Sequence, residues 1–343
     1  MRDRNPLITH ALRALMLAGI AALGLASIVG SGGGGIAFLP SDCPPGFNCN
    51  APTPPSAAVT PAYVTALVGS SVTFAADPAD FVGTVRYQWS RSSDGGATYI
   101  DVAGANARTL SLVGVNLADD RTIVRVVAQA SGSSVQALGR LAVSATPPVV
   151  FADGEFAPAD WTVLADPNAP AGSHSEQHVD AGGNPGSFRK MTFTIGPQSG
   201  AARALYASLP SVYSPQVDGA VYVIDYAEDG IALQANVSTY TESAMVLEQG
   251  GRRYVANLRS TPIENFRPTY LTTQWSAVAS QSSLQARDFN LVSGPGCGAG
   301  EACPDFSAAG LQMRFGYWRI SFGIQGDSIA HGIDNWKVSV WRR

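Results

Sequence analysis

Short runs in which apolar and polar residues alternate recur along this chain. Examples are residues 71–74 (SVTF), residues 109–112 (TLSL) and residues 335–341 (NWKVSVW). Successive side chains of a β-strand point to opposite faces, so this period of two predicts strands with one buried face. Residues 57–146 do not show the 3.6-residue apolar period of an amphipathic helix. We therefore expect an all-β chain built from antiparallel β-sandwiches.

The strand-like runs fall into two groups, which predicts two domains. The first group lies in residues 57–146, where the turn signal Asp94-Gly95-Gly96 follows one of the runs. Pro147-Pro148 marks the boundary, and residues 147–343 hold the second group. Residues 31–56 are rich in Gly, Pro and Ser without periodicity, which is typical of a linker. The runs of the second group are residues 149–156, 161–163, 190–195, 220–226, 233–240, 274–279, 311–324 and 335–341.

The composition is that of an exported β protein. Charged residues make up 14% of the chain, whereas an average soluble protein has about 25%. The net charge is −4, and the basic residues are scattered. Nucleic-acid binding by counterion release requires a dense cluster of cations, so the sequence excludes nucleic acid as a partner.

Residues 1–30 have the form of a secretory signal. Arg2, Arg4 and Arg13 precede an uncharged apolar run over residues 14–30, and a basic region followed by an apolar one directs export. We expect cleavage before the glycine tract. A retained anchor is the alternative, because the run has about the minimum length of a membrane span. The predicted location is extracytoplasmic (periplasm, cell surface or medium), with membrane contact only through an uncleaved segment.

The four cysteines form two local pairs, Cys43 with Cys49 and Cys297 with Cys303. Both pairs lie in Gly- and Pro-containing stretches, and such pairs in an exported chain form disulfides. A zinc site made of all four thiolates is the alternative, but structural zinc sites use tighter spacing. We therefore predict two disulfides that each close a short loop.

Several motifs in residues 57–146 belong together: Tyr87-Gln88-Trp89, the Asp-Gly-Gly turn, the run at residues 109–112 and Asp119-Asp120. They resemble bacterial immunoglobulin-like domains. The resemblance implies a β-sandwich with Trp89 in its core on the third strand. The segment lacks cysteine, so the inter-sheet disulfide of antibody domains is missing. The resemblance implies either a spacer or an adhesive module, and we favour the spacer.

Three motifs in residues 147–343 carry a second resemblance. They are the opening at residues 151–161 (FADGEFAPADW), the turn at residues 183–186 (GNPG) and the closing at residues 332–336 (GIDNW). They resemble bacterial jelly-roll domains of the laminin-G, concanavalin-like and carbohydrate-binding kinds. The resemblance implies a sandwich whose first and last strands lie side by side.

Such jelly-roll domains often hold a structural calcium ion between their opening and closing strands. Calcium takes six to eight oxygen ligands, and Asp153, Glu155, Asp334 and Asn335 are the candidate donors. The alternative is that Asp334 and Asn335 only form hydrogen bonds within the terminal turn.

The sequence shows no convincing catalytic motif. His174-x-Glu176-x-His178 places two imidazoles four residues apart, but Gly- and Pro-rich flanks predict a solvated loop there rather than a metal-binding helix. Ser187 and Lys190 match the Ser-x-x-Lys spacing of some serine hydrolases, but they precede a strand whose extended geometry would separate them by about 10 Å. Glu228-Asp229 is expected at a hairpin turn. We therefore expect no enzyme, with a hydrolase of unrecognised site as the alternative.

Aromatic residues are the remaining functional signal. Sugar rings stack on exposed aromatic faces while polar neighbours bind their hydroxyls. Trp318 and Trp275 are the best stacking candidates, and Tyr317 and Arg314 lie beside the first of them. The sequence therefore predicts an exported, non-catalytic protein that binds a glycan or a cell-surface ligand. A purely structural or adhesive surface protein is the alternative.

Overall fold

The computed structural model describes residues 53–166, 169–197, 199–234, 239–256, 274–292, 297 and 303–342. These ranges hold twenty strands, one four-residue helix at Pro215–Asp218 and three short 3₁₀ helices. The first eight strands are β1 (Ser56–Thr60), β2 (Tyr63–Leu67), β3 (Val72–Ala79), β4 (Arg86–Ser92), β5 (Ile100–Asp101), β6 (Thr109–Leu112), β7 (Ile123–Ala130) and β8 (Ser133–Ser144). The other twelve are β9 (Val149–Asp153), β10 (Trp161–Leu164), β11 (Gly172–Gly183), β12 (Gly186–Ile195), β13 (Ala201–Tyr213), β14 (Val221–Gln234), β15 (Tyr240–Gln249), β16 (Arg252–Ala256), β17 (Ser276–Leu284), β18 (Phe289–Leu291), β19 (Met313–Phe322) and β20 (Ser328–Arg342). The all-β prediction is confirmed.

The first eight strands form a sandwich of two sheets. One sheet has the strand order β1-β3-β6 and the other has the order β2-β8-β7-β4-β5. The strands pair antiparallel except for β2 and β8, which run parallel. This arrangement confirms the immunoglobulin-like fold of this part of the chain.

Trp89 lies at the centre of this N-terminal sandwich, as its sequence context predicts. It is fully buried on β4, and its indole N–H donates to the carbonyl oxygen of Ala107 at 3.0 Å. Phe74 from β3 and Val126 from β7 belong to the same apolar cluster. Both sheets therefore pack against this one side chain.

The other twelve strands form a second, larger antiparallel sandwich. Its front sheet has the order β10-β13-β19-β15-β16-β18, and its back sheet has the order β11-β12-β20-β14-β17, with β9 also paired to β20. The first and last strands lie side by side, with Trp336 opposite Asp153. Phe193 of the back sheet and Phe315 of the front sheet contribute to the core between the sheets.

The last strand, β20, has buried residues on both faces. Trp336, Val338 and Val340 belong to the core of the C-terminal sandwich, as their alternation predicts. Trp341, on the face expected to be wetter, is also buried and packs with Ala142 of the N-terminal sandwich. The contact between the two sandwiches is the reason for this difference, because it covers the outer face of the back sheet at this point.

Two segments expected to be irregular are strands. His174 and Glu176, expected in a solvated loop, lie on β11, which pairs along β12. Glu228 and Asp229, expected at a hairpin turn, lie inside β14. That strand continues past Gly230 because β17 and β20 both pair with it there.

Residues 1–52 lie outside the described residues, and they include the signal segment, most of the linker, and Cys43 and Cys49. Export, cleavage and the first disulfide therefore stay predictions. Over the described residues, no helix has the length and apolar character needed to cross a bilayer.

We expect Trp89→Ala to destabilise the N-terminal sandwich by about 3–5 kcal/mol, because it leaves a cavity where both sheets meet. Ile100→Ala is the matched control, because Ile100 lies on the neighbouring β5 and is 72% exposed. This control substitution should change the free energy of unfolding by less than about 0.5 kcal/mol. Guanidinium titration of both variants measures the difference. Equal stability of the two variants would contradict the assigned core.

Candidate functional site

The outer face of the front sheet carries two of the candidate ligand-binding residues. Trp318 and Arg314 lie four residues apart on β19, which is a central strand of this sheet. Side chains four apart on a strand share a face and are about 13 Å apart. The structure therefore places both residues on the same surface.

Trp318 is half-buried on this surface. Its ring packs against a small apolar cluster formed by Leu164, Leu205, Ala207 and Val246. The cluster lies on the opposite side of the front sheet from the main core. The indole is therefore fixed by packing while part of it remains accessible, which is the state required of a stacking platform.

A charged group lies on the same surface, four residues along β19 from Trp318. Arg314 pairs with Glu248 at 3.4 Å, and Arg253 pairs with the other oxygen of the same carboxylate at 3.5 Å. The Nε atom of Arg253 makes its contact with Glu248, and the Arg253 and Arg314 side chains are 28% and 36% exposed. One carboxylate is thus shared by two guanidinium groups that are partly accessible. We call Trp318, Arg314, Arg253 and Glu248 the tryptophan–arginine surface.

Tyr317 does not belong to this surface. It precedes Trp318 on β19, so its side chain points to the opposite face of the sheet, and it is fully buried in the main core. Its ring stacks on Tyr206 at 4.7 Å and lies 5.1 Å from the ring of Trp161. The assignment of Tyr317 as a ligand-binding residue is therefore wrong, because no ligand reaches it without opening the sandwich.

Trp275 lies on the other sheet, just before β17. Its indole N–H donates to the carbonyl oxygen of Gly182 at 2.7 Å, and its ring meets that of Phe188 edge-on at 5.3 Å. Gly332 lies beneath the ring, because a Cβ atom there would come within 2.9 Å of the indole. Trp275 and Trp318 therefore occupy different sheets and do not form one site.

The four candidate calcium ligands gather where β9 and β20 pair. Asp153 accepts hydrogen bonds from the backbone N–H groups of Glu155 and Phe156, both at 2.8 Å, and from the Trp161 indole at 2.6 Å. Glu155 accepts from the hydroxyl of Ser187 at 2.7 Å. These oxygens are therefore engaged by donors of the chain itself.

Asp334 and Asn335, the other two candidate calcium ligands, also form hydrogen bonds within the chain. Asp334 is fully buried and accepts from the backbone N–H groups of Asn184 and Asn335. Burial raises the pKa of the Asp334 carboxyl, while these two donors act to lower it. The Asn335 amide donates to Asp229 at 2.7 Å. The arrangement is a hydrogen-bonded turn.

In this arrangement the carboxylates of the candidate calcium ligands accept hydrogen bonds from the chain, and they do not form the shell of six to eight oxygens that calcium takes. Among the described residues, no three Asp, Glu, His or Cys side chains are grouped so as to hold a metal ion. Calcium at this end of the sandwich stays a prediction.

The second cysteine pair forms a disulfide. The Cα atoms of Cys297 and Cys303 are 4.9 Å apart, and their sulfurs are joined. This distance lies within the range that a disulfide requires. Both thiols are therefore engaged in the disulfide and cannot ligate zinc.

Glu228 is a carboxylate with an altered pKa, which makes it a candidate for catalysis. It is fully buried, and it pairs with the equally buried Arg319 at 3.0 Å. It also accepts hydrogen bonds from Tyr226 at 2.6 Å and from Ser243. Burial raises the pKa of Glu228, while the charge of Arg319 opposes the shift. No substrate reaches this carboxylate, so the pair is structural: it joins β14 of the back sheet to β19 of the front sheet.

We expect Glu228→Gln to destabilise the C-terminal sandwich by about 3–5 kcal/mol, because it leaves the charge of Arg319 buried without a counter-ion. The double variant Glu228→Leu/Arg319→Met should recover most of this loss, because it removes both charges. Urea titration monitored by tryptophan fluorescence measures both effects. A double variant no more stable than the single one would contradict the coupling.

His331 is the second buried titratable group of this core. It is fully buried on β20, and its ring stacks on Phe193 at 5.4 Å. Neither ring nitrogen has a hydrogen-bond partner among the described residues. Burial, with the nearby charge of Arg319, holds the pKa of His331 well below its ordinary value of 6.5. The folded protein therefore keeps this imidazole neutral.

This depressed pKa predicts that stability falls as the pH drops below about 6.5. There the unfolded chain binds a proton at His331 and the folded chain does not, so the free energy of unfolding decreases by about 1.4 kcal/mol per pH unit. His331→Phe should remove this dependence between pH 5 and 7, whereas His178→Asn, which alters a half-buried histidine, should keep it. Urea titrations across this range measure the slope. An unchanged slope in His331→Phe would refute the assignment.

A half-buried polar pair lies on β11. His174 and Glu176 face the interior edge of the sandwich and contact each other at 2.9 Å. The hydrogen bond from His174 holds the pKa of the Glu176 carboxyl below its usual range. The sequence motif thus marks an imidazole–carboxylate pair, and no third ligand for a metal ion joins it among the described residues.

Sequence reasoning missed a group of arginines that line a cleft between the two sandwiches. Arg121 and Arg140 come from the N-terminal sandwich and Arg287 from the C-terminal one. They are separated by up to 166 positions and belong to no motif. Only the packing of the two sandwiches brings them together.

No protein-family model and no curated protein matches this chain. Solved immunoglobulin-type structures align with part of it. The N-terminal four Ig domains of Dscam1 isoform 6.9 align over 26% of this chain and 21% of that chain, at 18% identity and a TM-score of 0.21. A marsupial T cell receptor aligns over 44% of this chain and 93% of that chain, at 13% identity and a TM-score of 0.22. This chain thus aligns with about a fifth of the length of the Dscam1 structure, and its fold is described above from its own strand pairing.

Proposed function

We propose that this chain is an exported, non-catalytic binding protein whose C-terminal sandwich recognises a glycan or another cell-surface ligand. The N-terminal immunoglobulin-like sandwich serves as a spacer that presents it. The proposal includes the jelly-roll assignment of the C-terminal sandwich, which the pairing of its first and last strands, β9 and β20, supports. The observation that carries the proposal is the half-buried Trp318 on the same sheet face as two partly exposed arginines.

The chemistry of the tryptophan–arginine surface suits a carbohydrate. An indole held in place by Leu205 and Val246 offers a rigid apolar face on which a sugar ring stacks at low entropic cost. Arg314 and Arg253 lie along the same surface, and their partly exposed guanidinium groups can donate hydrogen bonds to sugar hydroxyls. Each hydroxyl contact replaces one made with water, so the net gain per contact is small. We expect a dissociation constant on the order of 0.1–1 mM for a single oligosaccharide.

The test is a glycan array on the full secreted chain, followed by calorimetry with the oligosaccharide that binds. Trp318→Ala should lower the affinity at least tenfold, because it removes the stacking face. Arg253→Gln should lower it severalfold without disturbing the apolar cluster, which guards against loss of binding by unfolding. Thermal melting of each variant checks that the sandwich remains folded.

Trp275→Ala is the matched control, because Trp275 lies on the other sheet and should leave the affinity unchanged. Loss of binding in Trp275→Ala alone would place the site on the back sheet and overturn the tryptophan–arginine surface. An array with no binding oligosaccharide would favour a structural or adhesive role. Cleavage of an array glycan would instead favour a hydrolase.

A further inference from the structure

Three polar atoms inside the C-terminal sandwich have no direct hydrogen-bond partner among the described residues. They are the hydroxyl oxygens of Tyr206 and Tyr317 and the Nη1 atom of Arg189. Each of these residues is more than nine-tenths buried. A buried polar atom that loses its water and gains no partner costs the full free energy of its desolvation, and such atoms are rare in native proteins. The three atoms therefore require a partner.

The three side chains lie next to one another. Tyr206 of β13 and Tyr317 of β19 are directly opposite each other in the front sheet, and their rings stack with centroids 4.7 Å apart. Because cross-strand partners project from the same face of a sheet, both hydroxyls lie on the same side. Arg189 reaches across from β12 of the back sheet, and its guanidinium carbon lies 4.8 Å from the centre of the Tyr206 ring. Two phenols and one guanidinium thus share one part of the core.

This part of the core lies near an edge of the sandwich that solvent reaches. Val163, on the edge strand β10 of the front sheet, is directly opposite Tyr206 and therefore faces the same interior. Val163 is nevertheless 43% exposed. On the edge strand β11 of the back sheet, Glu176 is directly opposite the core residue Met191, and its side chain is 24% exposed. Water therefore reaches the interior side of both edge strands.

The charges around the three atoms favour a neutral partner. The hydrogen bond from His174, aided by the charge of Arg189, holds the pKa of the Glu176 carboxyl below its usual range, so this carboxylate is ionised. Burial, with the nearby charges of Tyr317 and Glu176, raises the pKa of Tyr206, so its phenol keeps its proton. The positive charge of Arg189 is thus balanced by Glu176, which would repel an anion.

The partner must also donate and accept hydrogen bonds, and it must be small. The Nη1 atom of Arg189 only donates, the ionised Glu176 only accepts, and the two tyrosine hydroxyls do either. The three atoms are buried, and the ring of Trp161 packs 5.1 Å from that of Tyr317. A ligand as large as a sugar would have to open the sandwich. Water meets all of these conditions, because a buried water typically makes about three hydrogen bonds to otherwise unpaired polar groups.

We propose that ordered water molecules bind between the two sheets at Tyr206, Tyr317 and Arg189 and form part of the folded structure. They accept from the Arg189 guanidinium, bond to the two hydroxyls and donate to Glu176. Exchange with solvent takes place past the half-buried Glu176 at the edge of the sandwich. The site is independent of the tryptophan–arginine surface, because Trp318 packs on the opposite face of the front sheet.

The direct test is a crystal structure of the full secreted chain at about 1.5 Å resolution, from crystals grown in sodium bromide. We expect water density within about 3.2 Å of the Arg189 Nη1 atom and of both tyrosine hydroxyls. Absence of density beside these atoms would overturn the proposal. An anomalous bromide peak there would overturn the assignment to water, because bromide occupies anion sites.

The variant Tyr317→Phe separates a hydrated hydroxyl from a dry one by the sign of its effect. Removing a hydroxyl that is bonded to water should lower the melting temperature of the C-terminal sandwich by about 2–4 °C. Removing a hydroxyl that has no partner would raise the melting temperature instead, because it relieves an uncompensated burial. We expect Tyr206→Phe to act in the same direction as Tyr317→Phe.

Tyr213→Phe is the matched control. Tyr213 is equally buried, but its hydroxyl donates directly to the carbonyl oxygen of Gly219 at 2.7 Å. Thermal melting of the full chain should show a similar decrease for Tyr213→Phe and Tyr317→Phe. An unchanged or raised melting temperature in Tyr317→Phe would contradict the proposed hydration.

Discussion

The ion pair between Glu228 and Arg319 is the contact on which the C-terminal sandwich depends. It links a strand of the back sheet to a strand of the front sheet inside an apolar core, and Tyr226 and Ser243 fill the remaining positions around the carboxylate. The residue next to Arg319 on β19 is Trp318, which points to the outer face of the front sheet. A contact inside the core thus determines which side chains the outer surface presents.

A buried ion pair of this kind contributes more to fixing the register of β19 than to the free energy of unfolding. Replacing a buried pair by apolar residues is often neutral, but separating its partners is costly. If β19 slipped by one residue, Arg319 would move outward and Trp318 would enter the core, because every side chain of a shifted strand changes face. We infer that the pair excludes this slip, since the buried charge of Glu228 would then remain without a counter-ion.

The sequence predicted those strands whose two faces differ in polarity. Residues 109–112 alternate cleanly and form β6 with the predicted bounds. The prediction failed at His174 and Glu228, because the Gly- and Pro-rich flanks of His174 and the acidic pair at Glu228 are loop and turn signals, although both residues lie on strands. It also could not separate Tyr317 from Trp318, since both are aromatic neighbours on one strand and only the packing of the sheets shows which one is buried.

The cleft between the sandwiches could not be predicted at all, because it depends on a contact between residues far apart in the sequence. Asp225 illustrates the reason. Its carboxylate accepts hydrogen bonds from Thr65 of the other sandwich, from the backbone N–H of Ser283 at 2.7 Å and from the Trp341 indole at 2.7 Å. Burial raises the pKa of this carboxyl against the pull of these donors. An acid that accepts hydrogen bonds from three distant segments has no local signature in the sequence, yet its bond from Thr65 joins the two sandwiches.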